Sequence, residues 1–214
     1  MMVPGFPLLR RLARERRALA LTEFAIGLPV FLLLTLTGAE LTNFIITRMR
    51  ISQVALQLAD NAARMGSGSL LSAKTISETD INDLLTGAGL QAGGLDLYAN
   101  GRVIVSDLEP VANPNTTSRY KIVWQRCRGS GPGSSSYGKA GDTGLSGMGP
   151  AGRQAFAPDG GATMFVQVIY TYRPLVRLSL APSSTITEVA SMMVRDRRDL
   201  SIIYNVEKAA ISNC

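Results

Sequence analysis

Residues Leu19–Ile46 read LALTEFAIGLPVFLLLTLTGAELTNFII. From Leu19 to Ala39 the only charged residue is Glu23, and the next charge is Glu40. Because about 20 apolar residues span the hydrocarbon core of a bilayer as a helix, we predict a transmembrane helix over residues 19–46. A carboxylate inside such a segment is costly, so the roles of the two glutamates need an explanation.

The region before this stretch is basic. It contains five arginines and one glutamate, namely Arg10, Arg11, Arg14, Arg16, Arg17 and Glu15. Basic residues beside a membrane helix mark its cytoplasmic end, so residues 1–18 are predicted to be a cytoplasmic leader. The net charge of +6 also raises the question of nucleic-acid binding. The remaining basic residues are scattered and have no aromatic residues between them, so no nucleic-acid partner is expected.

A secretory signal peptide would also combine a basic leader with an apolar run. The run here is longer than the usual apolar region of about 7–15 residues, and no good cleavage site follows it. The helical pattern also continues beyond the run. Residues 47–66 are therefore predicted to extend the helix as an amphipathic segment that stops at Gly66. Its apolar face consists of Ile51, Ala55, Leu58, Ala62 and Met65. Within the membrane part, Pro29 is expected to kink the helix.

Residues 67–214 are predicted to form one α+β domain. A short helix is expected to begin after Ser77 as its N-cap residue, to bury Ile81, Leu84 and Leu85, and to stop at Gly87. The dipeptide Asn100-Gly101 predicts a hairpin between strands at residues 95–98 and 103–105.

Further strands are predicted where apolar residues alternate or cluster, at residues 119–127, 164–173 and 188–195. Ile202–Tyr204 is either another edge strand or the start of a tail. Residues 128–161 are rich in Gly and Ser and are predicted to be a flexible loop. The predicted fold is therefore a long N-terminal helix packed on a four- or five-stranded antiparallel sheet.

Three strings resemble catalytic motifs, but none is expected to be one. Asp142-Thr143-Gly144 has no second copy, although aspartic-protease chemistry needs two carboxylates. Gly147–Gly152 fits a nucleotide-binding pattern, but no strand precedes it. Ser118 and Lys121 enter a predicted strand on opposite faces. The chain has no histidine, and two isolated cysteines make no zinc site, so no enzyme activity, cofactor or metal is expected.

Two pairs of residues leave alternatives open. Cys127 and Cys214 form one disulfide if the domain lies outside the cytoplasm, or they remain two free thiols. Glu23 lies about 6 Å inside the predicted span by helical rise. It either reaches back to the headgroups or pairs with a positive group of a neighbouring subunit. Glu40 is expected at the opposite interface, where an intersubunit role is an alternative.

Several of these segments resemble one family. Arg16–Ala25 reads RRALALTEFA and is followed by Leu28-Pro29 and, at the far end of the apolar run, by Gly38-Ala39-Glu40-Leu41. This combination resembles the TadE-like pilins, which are pseudopilins of the bacterial tight-adherence (Tad, type IVc) pilus system. The tract Gln53–Arg64 is similar to that family's helix extension, and Tyr170–Leu175 is similar to its strand ending.

The resemblance implies a single-pass inner-membrane protein with a periplasmic domain. Its partners would be other pilins or pseudopilins, the inner-membrane assembly platform and a prepilin peptidase. The family's peptidase cuts just before the fourth residue ahead of the glutamate, which corresponds here to the bond between Ala18 and Leu19. Ala18 stands where the family motif usually has glycine. Glu23 would become the fifth mature residue and pair with the new α-amine of a neighbour. An uncut chain would stay in the membrane as a permanent anchor.

We therefore expect a non-catalytic minor pilin or pseudopilin that takes part in the assembly or anchoring of a tight-adherence pilus. The alternative is a periplasmic binding or adhesion module that the helix merely tethers to the membrane. A third class, a membrane-anchored envelope enzyme, is disfavoured because the sequence lacks a catalytic constellation.

Overall fold

The computed structural model describes residues 16–69, 72–175 and 185–214, except the side chains of residues 16–18. The chain forms two compact units. The first contains the N-terminal residues up to Phe44 together with Pro174–Pro182. The second contains Ile45–Arg173 and Ser183–Cys214.

The described elements follow one another as a long helix, shorter helices and a sheet. The helices are α1 (Arg16–Arg64), α2 (Glu78–Ala92), a short 3-10 helix (Gly93–Leu95) and α3 (Leu97–Asn100). The strands are β1 (Gly101–Pro110), β2 (Tyr120–Arg128), β3 (Thr163–Thr171) and β4 (Thr185–Met193). They form one antiparallel sheet in the order β2-β1-β3-β4. The predicted α+β class, with its long N-terminal helix and antiparallel sheet, is confirmed.

Helices cover one face of the sheet in the second unit. The register places Val105 of β1, Arg126 of β2 and Glu188 of β4 on this face. Glu188 binds Arg48 of α1 at 2.7 Å, and Arg126 forms an ion pair with Glu78 of α2. Of the predicted apolar face of α1, Ile51, Ala55, Leu58 and Ala62 are buried, whereas Met65 is half-buried. The buried surface is wider than predicted, because it also includes Val54, Ala59 and Ala63. The amphipathic half of α1 therefore belongs to the core of the second unit.

The long segment 129–161 covers the opposite face. It contains no helix and no β pairing longer than an isolated bridge, which agrees with its composition. Its side chains nevertheless pack, since Met148 and Ala157 are buried in a cluster with Leu108, Ile122 and Phe165. Tyr120 and Leu145 exchange two backbone hydrogen bonds of 2.9 Å, which also covers the free edge of β2. The sequence does not predict this packing.

Close backbone approach explains one glycine at the start of that segment. Gly129 follows β2 with φ of +121°, and a Cβ atom there would lie 2.2 Å from the carbonyl oxygen of Gly101. Only glycine tolerates both conditions. The turn out of β2 therefore depends on this residue.

The predicted hairpin at Asn100-Gly101 is wrong. Residues 97–100 form the helical turn α3, and Gly101 begins β1. Tertiary contacts override the local turn signal, because Leu97 and Asn100 are buried and the Tyr170 hydroxyl donates to the carbonyl of Leu95 at 3.0 Å. Gly101 instead allows the backbone of β3 to approach closely, since a Cβ atom at this position would lie 2.5 Å from the carbonyl oxygen of Ile169.

Several predicted boundaries also differ. Helix α2 starts after the Ser77 cap as predicted, with a reciprocal capping box to Asp80. It continues past Gly87 to Ala92, because Ala88 and Ala92 are buried and outweigh a glycine cost of about 1 kcal/mol. Strand β4 begins at Thr185, three residues before its predicted start. Ile202–Tyr204 is part of an irregular tail, in which Tyr204 forms an isolated bridge with Ser77.

Candidate functional site

The first half of α1 exposes a long apolar surface. The helix from Leu19 onwards reaches a mean hydropathy of 2.1 over an 18-residue stretch, none of which is buried. The exposed side chains include Leu19, Leu21, Phe24, Ile26, Val30, Phe31 and Leu34. Soluble proteins rarely expose a continuous apolar surface above a few hundred Å². This part of α1 is long and apolar enough to cross a membrane.

Glu23 lies on an open face of that helix. Its side chain is exposed, and within the described part of the chain it has no hydrogen bond or ion pair. At about 100° per residue, Gly27 and Gly38 lie close to the same face as Glu23. A Cβ atom at either glycine would meet no other atom within 4 Å. Small residues let a second helix approach closely, so this face is suited to a neighbouring helix.

Glu40 has a different environment. It is only 4% exposed, and its Oε2 accepts a hydrogen bond of 2.8 Å from the backbone N–H of Leu175. Both residues belong to the first unit. By helical rotation Glu40 lies roughly 100° around the axis from Glu23. The two glutamates therefore face different surroundings, and Glu40 binds its own chain.

Three threonine hydroxyls in the apolar half bond back to the helix. The hydroxyl of Thr22 donates to Leu19, that of Thr35 to Phe31 and that of Thr42 to Gly38, at 2.8–2.9 Å. In an apolar medium each unsatisfied polar group is costly. The hydroxyls are satisfied within the helix and do not require water.

The other predicted positions of the membrane segment lie inside α1. The helix begins at Arg16, so the bond between Ala18 and Leu19 is in its first turns. Pro29 lies within the helix, which continues on both sides of it. Leu19 itself is exposed.

A buried arginine caps the C-terminal end of α1. The Nη2 atom of Arg198 donates to the carbonyl oxygens of Ala62 and Ala63 at 3.1 Å and to that of Met65 at 2.8 Å. The last carbonyls of a helix lack internal partners and carry partial negative charge, so a guanidinium stabilises them. Arg198 thereby joins the end of α1 to the segment after β4.

Asp107 lies beside this arginine in the middle of the sheet. It is 2% exposed, and burial, with the adjacent charge of Glu109, raises its pKa to about 8. Arg198, the Trp124 indole and Lys121 oppose this rise. Burial also raises the pKa of Glu109, whose carboxylate lies 3.3 Å from the Lys121 ammonium. Asp107 therefore keeps its proton in the folded protein at neutral pH, and it lies in the wall of a cavity.

A cavity of about 420 Å³ opens next to this pair. Its walls include Ile76, Trp124, Ile203 and Ile211, with the Glu78–Arg126 ion pair at one side. Such a volume is at the small end of the range for ligand sites, which is about 300–1,000 Å³. Apolar walls dominate it, so the arrangement could hold a small molecule. In its wall the Ser201 hydroxyl donates to the Asp199 carboxylate at 2.6 Å.

The three motif-like strings serve structural roles. Asp142 accepts the backbone N–H of Lys139 at 2.8 Å, within the segment that covers the sheet. Lys121 pairs with Glu109, while Ser118 is an exposed turn residue with φ of +50°. Met148, inside the glycine-rich string, is a core residue. Among the described residues no group of three or more His, Cys, Asp or Glu side chains is placed to hold a metal ion.

A disulfide joins Cys127 of β2 to Cys214, with a Cα–Cα distance of 5.0 Å. The tail before it is also bonded, since Ser212 accepts the backbone N–H of Cys127 at 2.8 Å and Ala210 accepts from the Asn82 amide at 2.7 Å. The sequence left the cysteine pairing open. The tail is thereby fastened along β2 and α2.

Sequence reasoning missed the roles of Arg198 and Asp107. A signal existed for Asp107, because two acids at alternate positions of the apolar strand Val103–Glu109 point to the same face. No local signal existed for Arg198, because its partner Met65 lies 133 residues earlier in the sequence.

Comparison with known proteins adds no relative, since no family model, no curated protein and no solved structure matches the chain.

Proposed function

We propose that the protein is a membrane-anchored, non-catalytic subunit of a tight-adherence-type pilus, a minor pilin or pseudopilin that takes part in assembly or anchoring. The observation that supports this most is the composition of α1. One helix carries an exposed apolar half with a carboxylate near its start and an amphipathic half buried in an α+β unit. The motif resemblance over residues 14–64 is the second support.

The proposed topology places the basic leader in the cytoplasm and the second unit in the periplasm. The arginine-rich flank favours this orientation. The disulfide between Cys127 and Cys214 is in keeping with it, because disulfides persist in oxidising compartments such as the periplasm. The proposed partners are other pilins, the inner-membrane assembly platform and a prepilin peptidase that cuts between Ala18 and Leu19.

Glu23 is the proposed intersubunit residue. It has no partner within the described chain, and its helix face carries Gly27 and Gly38, which leave room for a second helix. A positive group of a neighbour, such as a newly formed α-amine, would satisfy its charge in the membrane. Glu40 is not proposed for this role, because it binds Leu175 of the same chain.

The test is to express Glu23→Ala and Glu23→Gln in the source cells and measure co-purification with other pilins. We expect both variants to insert in the membrane but to lose their partners. Asp83→Asn is the matched control, because it removes an exposed carboxylate of α2 far along the chain. Retention of the partners by Glu23→Ala would rule out the pairing.

A second candidate function, a tethered binding module, is favoured only by the cavity beside Trp124 and Asp107. Replacing residues 19–46 with an unrelated membrane segment separates the two. A tethered module keeps its function after the exchange, whereas a pilus subunit loses assembly. N-terminal sequencing of the protein from its membrane adds the processing state: a start at Leu19 shows cleavage, and a start at Met1 or Met2 shows a permanent anchor.

A further inference from the structure

The contact between Glu40 and Leu175 fixes a point of the β3–β4 connection against α1. Leu175 lies four residues after the end of β3, and its backbone N–H donates to the Glu40 carboxylate at 2.8 Å. Hydrogen bonds to a charged acceptor are about twice as strong as neutral ones. The connection is therefore held at the level of Glu40 along the helix.

The level of Glu40 follows from the helix geometry. Glu40 lies 21 residues after Leu19 (40 − 19), which corresponds to ~31 Å at 1.5 Å per residue. The hydrocarbon core of a bilayer is about 30 Å thick. If the apolar run enters the bilayer at Leu19, the Glu40 carboxylate is at the opposite boundary between hydrocarbon and headgroups, and so is the amide of Leu175.

The side chain at this point is apolar and uncovered. Leu175 is 67% exposed, and the neighbouring helix positions Leu36 and Leu41 are exposed as well. Pro174 precedes Leu175 and lacks a backbone N–H, which lowers the cost of leaving water. The sequence continues as VRLSLAP over residues 176–182, which lie outside the described residues; its composition is apolar with one arginine.

We propose that the turn at Pro174 and Leu175 contacts the outer boundary of the bilayer, so that the protein touches lipid at a second place besides its spanning helix. This inference rests on the proposed membrane insertion of α1. The partner is the lipid surface itself, recognised by an apolar side chain that Glu40 holds at the boundary. Glu40 is thus a positioning residue for a lipid contact.

The test uses tryptophan fluorescence of the full chain in phosphatidylcholine vesicles whose acyl chains carry bromine near the headgroup or near the methyl end. Trp124 is the single native tryptophan and is replaced by phenylalanine. One probe is then introduced per variant: Leu175→Trp at the proposed contact, Phe31→Trp in the middle of the apolar run, or Leu90→Trp on α2. Phe31 and Leu90 are 63% and 79% exposed. If Trp124→Phe fails to fold, Trp124 is kept and its signal is subtracted.

We expect the probe at residue 175 to lose emission to the shallow bromines and that at residue 31 to the deep ones. The probe at residue 90 should respond only to acrylamide in the water. Glu40→Ala should abolish the shallow quenching at residue 175, whereas Glu40→Gln keeps an oxygen acceptor and should preserve it.

The outcomes separate the inference from the proposed function. If residue 31 is not quenched by lipid, membrane insertion fails and the inference fails with it. If residue 31 is quenched but residue 175 responds only to acrylamide, the lipid contact alone is overturned. Shielding of residue 175 from both quenchers would show that protein covers it, which also overturns the lipid contact.

Discussion

The Nη2 atom of Arg198 lies 2.8 Å from the carbonyl oxygen of Met65, one residue beyond the end of α1. The same nitrogen reaches Ala62 and Ala63, so one side chain serves three helix-terminal acceptors. The cap holds the amphipathic half of α1 in the core by its end, where a helix most easily frays.

Arg198→Met should lower the free energy of unfolding by about 2–3 kcal/mol, because the helix carbonyls lose a charged donor in a buried place. Arg198→Lys should lower the free energy of unfolding by less, since the lysine ammonium keeps the positive charge. The measurement is a urea titration of the full chain in mild detergent, followed by Trp124 emission. Arg197→Met, at an exposed neighbouring position, is the control; equal effects of Arg197→Met and Arg198→Met would contradict the capping role.

Asp107 should make stability depend on pH. Its folded pKa of about 8 exceeds the ordinary value of 3.8, so the folded state keeps a proton that the unfolded chain releases. The stabilisation is complete below about pH 4 and is lost as pH rises to about 8. Asp107→Asn should remove this slope and gain stability at pH 8 on the order of a few kcal/mol. Thermal unfolding of the wild type and the variant from pH 4 to pH 8 measures this dependence. If the variant keeps the slope of the wild type, Asp107 does not hold a buried proton.

The disulfide should carry a large share of the second unit's stability. Its cysteines are 87 residues apart, and the chain-entropy model gives about 4–5 kcal/mol for a loop of that length. Cys214→Ser should therefore melt well below the wild type and lose its tail to limited proteolysis. Wild-type protein under a reductant should behave like the variant. Equal melting of reduced and oxidised wild type would mean that the tail bonds hold without the disulfide.

The irregular segment 129–161 should behave as part of the core at Met148. This side chain is fully buried, so Met148→Ala should cost about 2–5 kcal/mol through the cavity it leaves. Phe156→Ala, in the same segment but half exposed, should cost much less. Thermal melting of both variants in detergent decides the matter. If Met148→Ala melts like the wild type, the segment is the flexible loop that its composition predicts.

The features that sequence reasoning predicted correctly are those set by local pattern. The apolar run from Leu19, the buried face through Ile51 and Leu58, and the Ser77 cap are all encoded within a few residues. The prediction of a hairpin at Asn100-Gly101 was wrong, because contacts from Tyr170, far along the chain, favour a helical turn there. Local turn chemistry cannot report such contacts.

The site was predictable to a similar extent. Glu23 and Glu40 stand out in an apolar run, but their different environments depend on Leu175, which only folding brings to Glu40. In the same way, the packing of Met148 depends on the face of the sheet that segment 129–161 covers. Glycine and serine content describes the backbone of that segment and says little about which few apolar residues anchor it.

The position of the disulfide also bears on timing. Cys127 lies in β2, whereas Cys214 follows β4, so the bond closes only after every strand of the sheet has been synthesised. In a chain whose second unit is exported, the bond cannot form until that whole unit has reached the oxidising side. Formation of the bond would then show that translocation of a chain is complete. The ratio of bonded to unbonded chains would measure the fraction of chains whose export is complete.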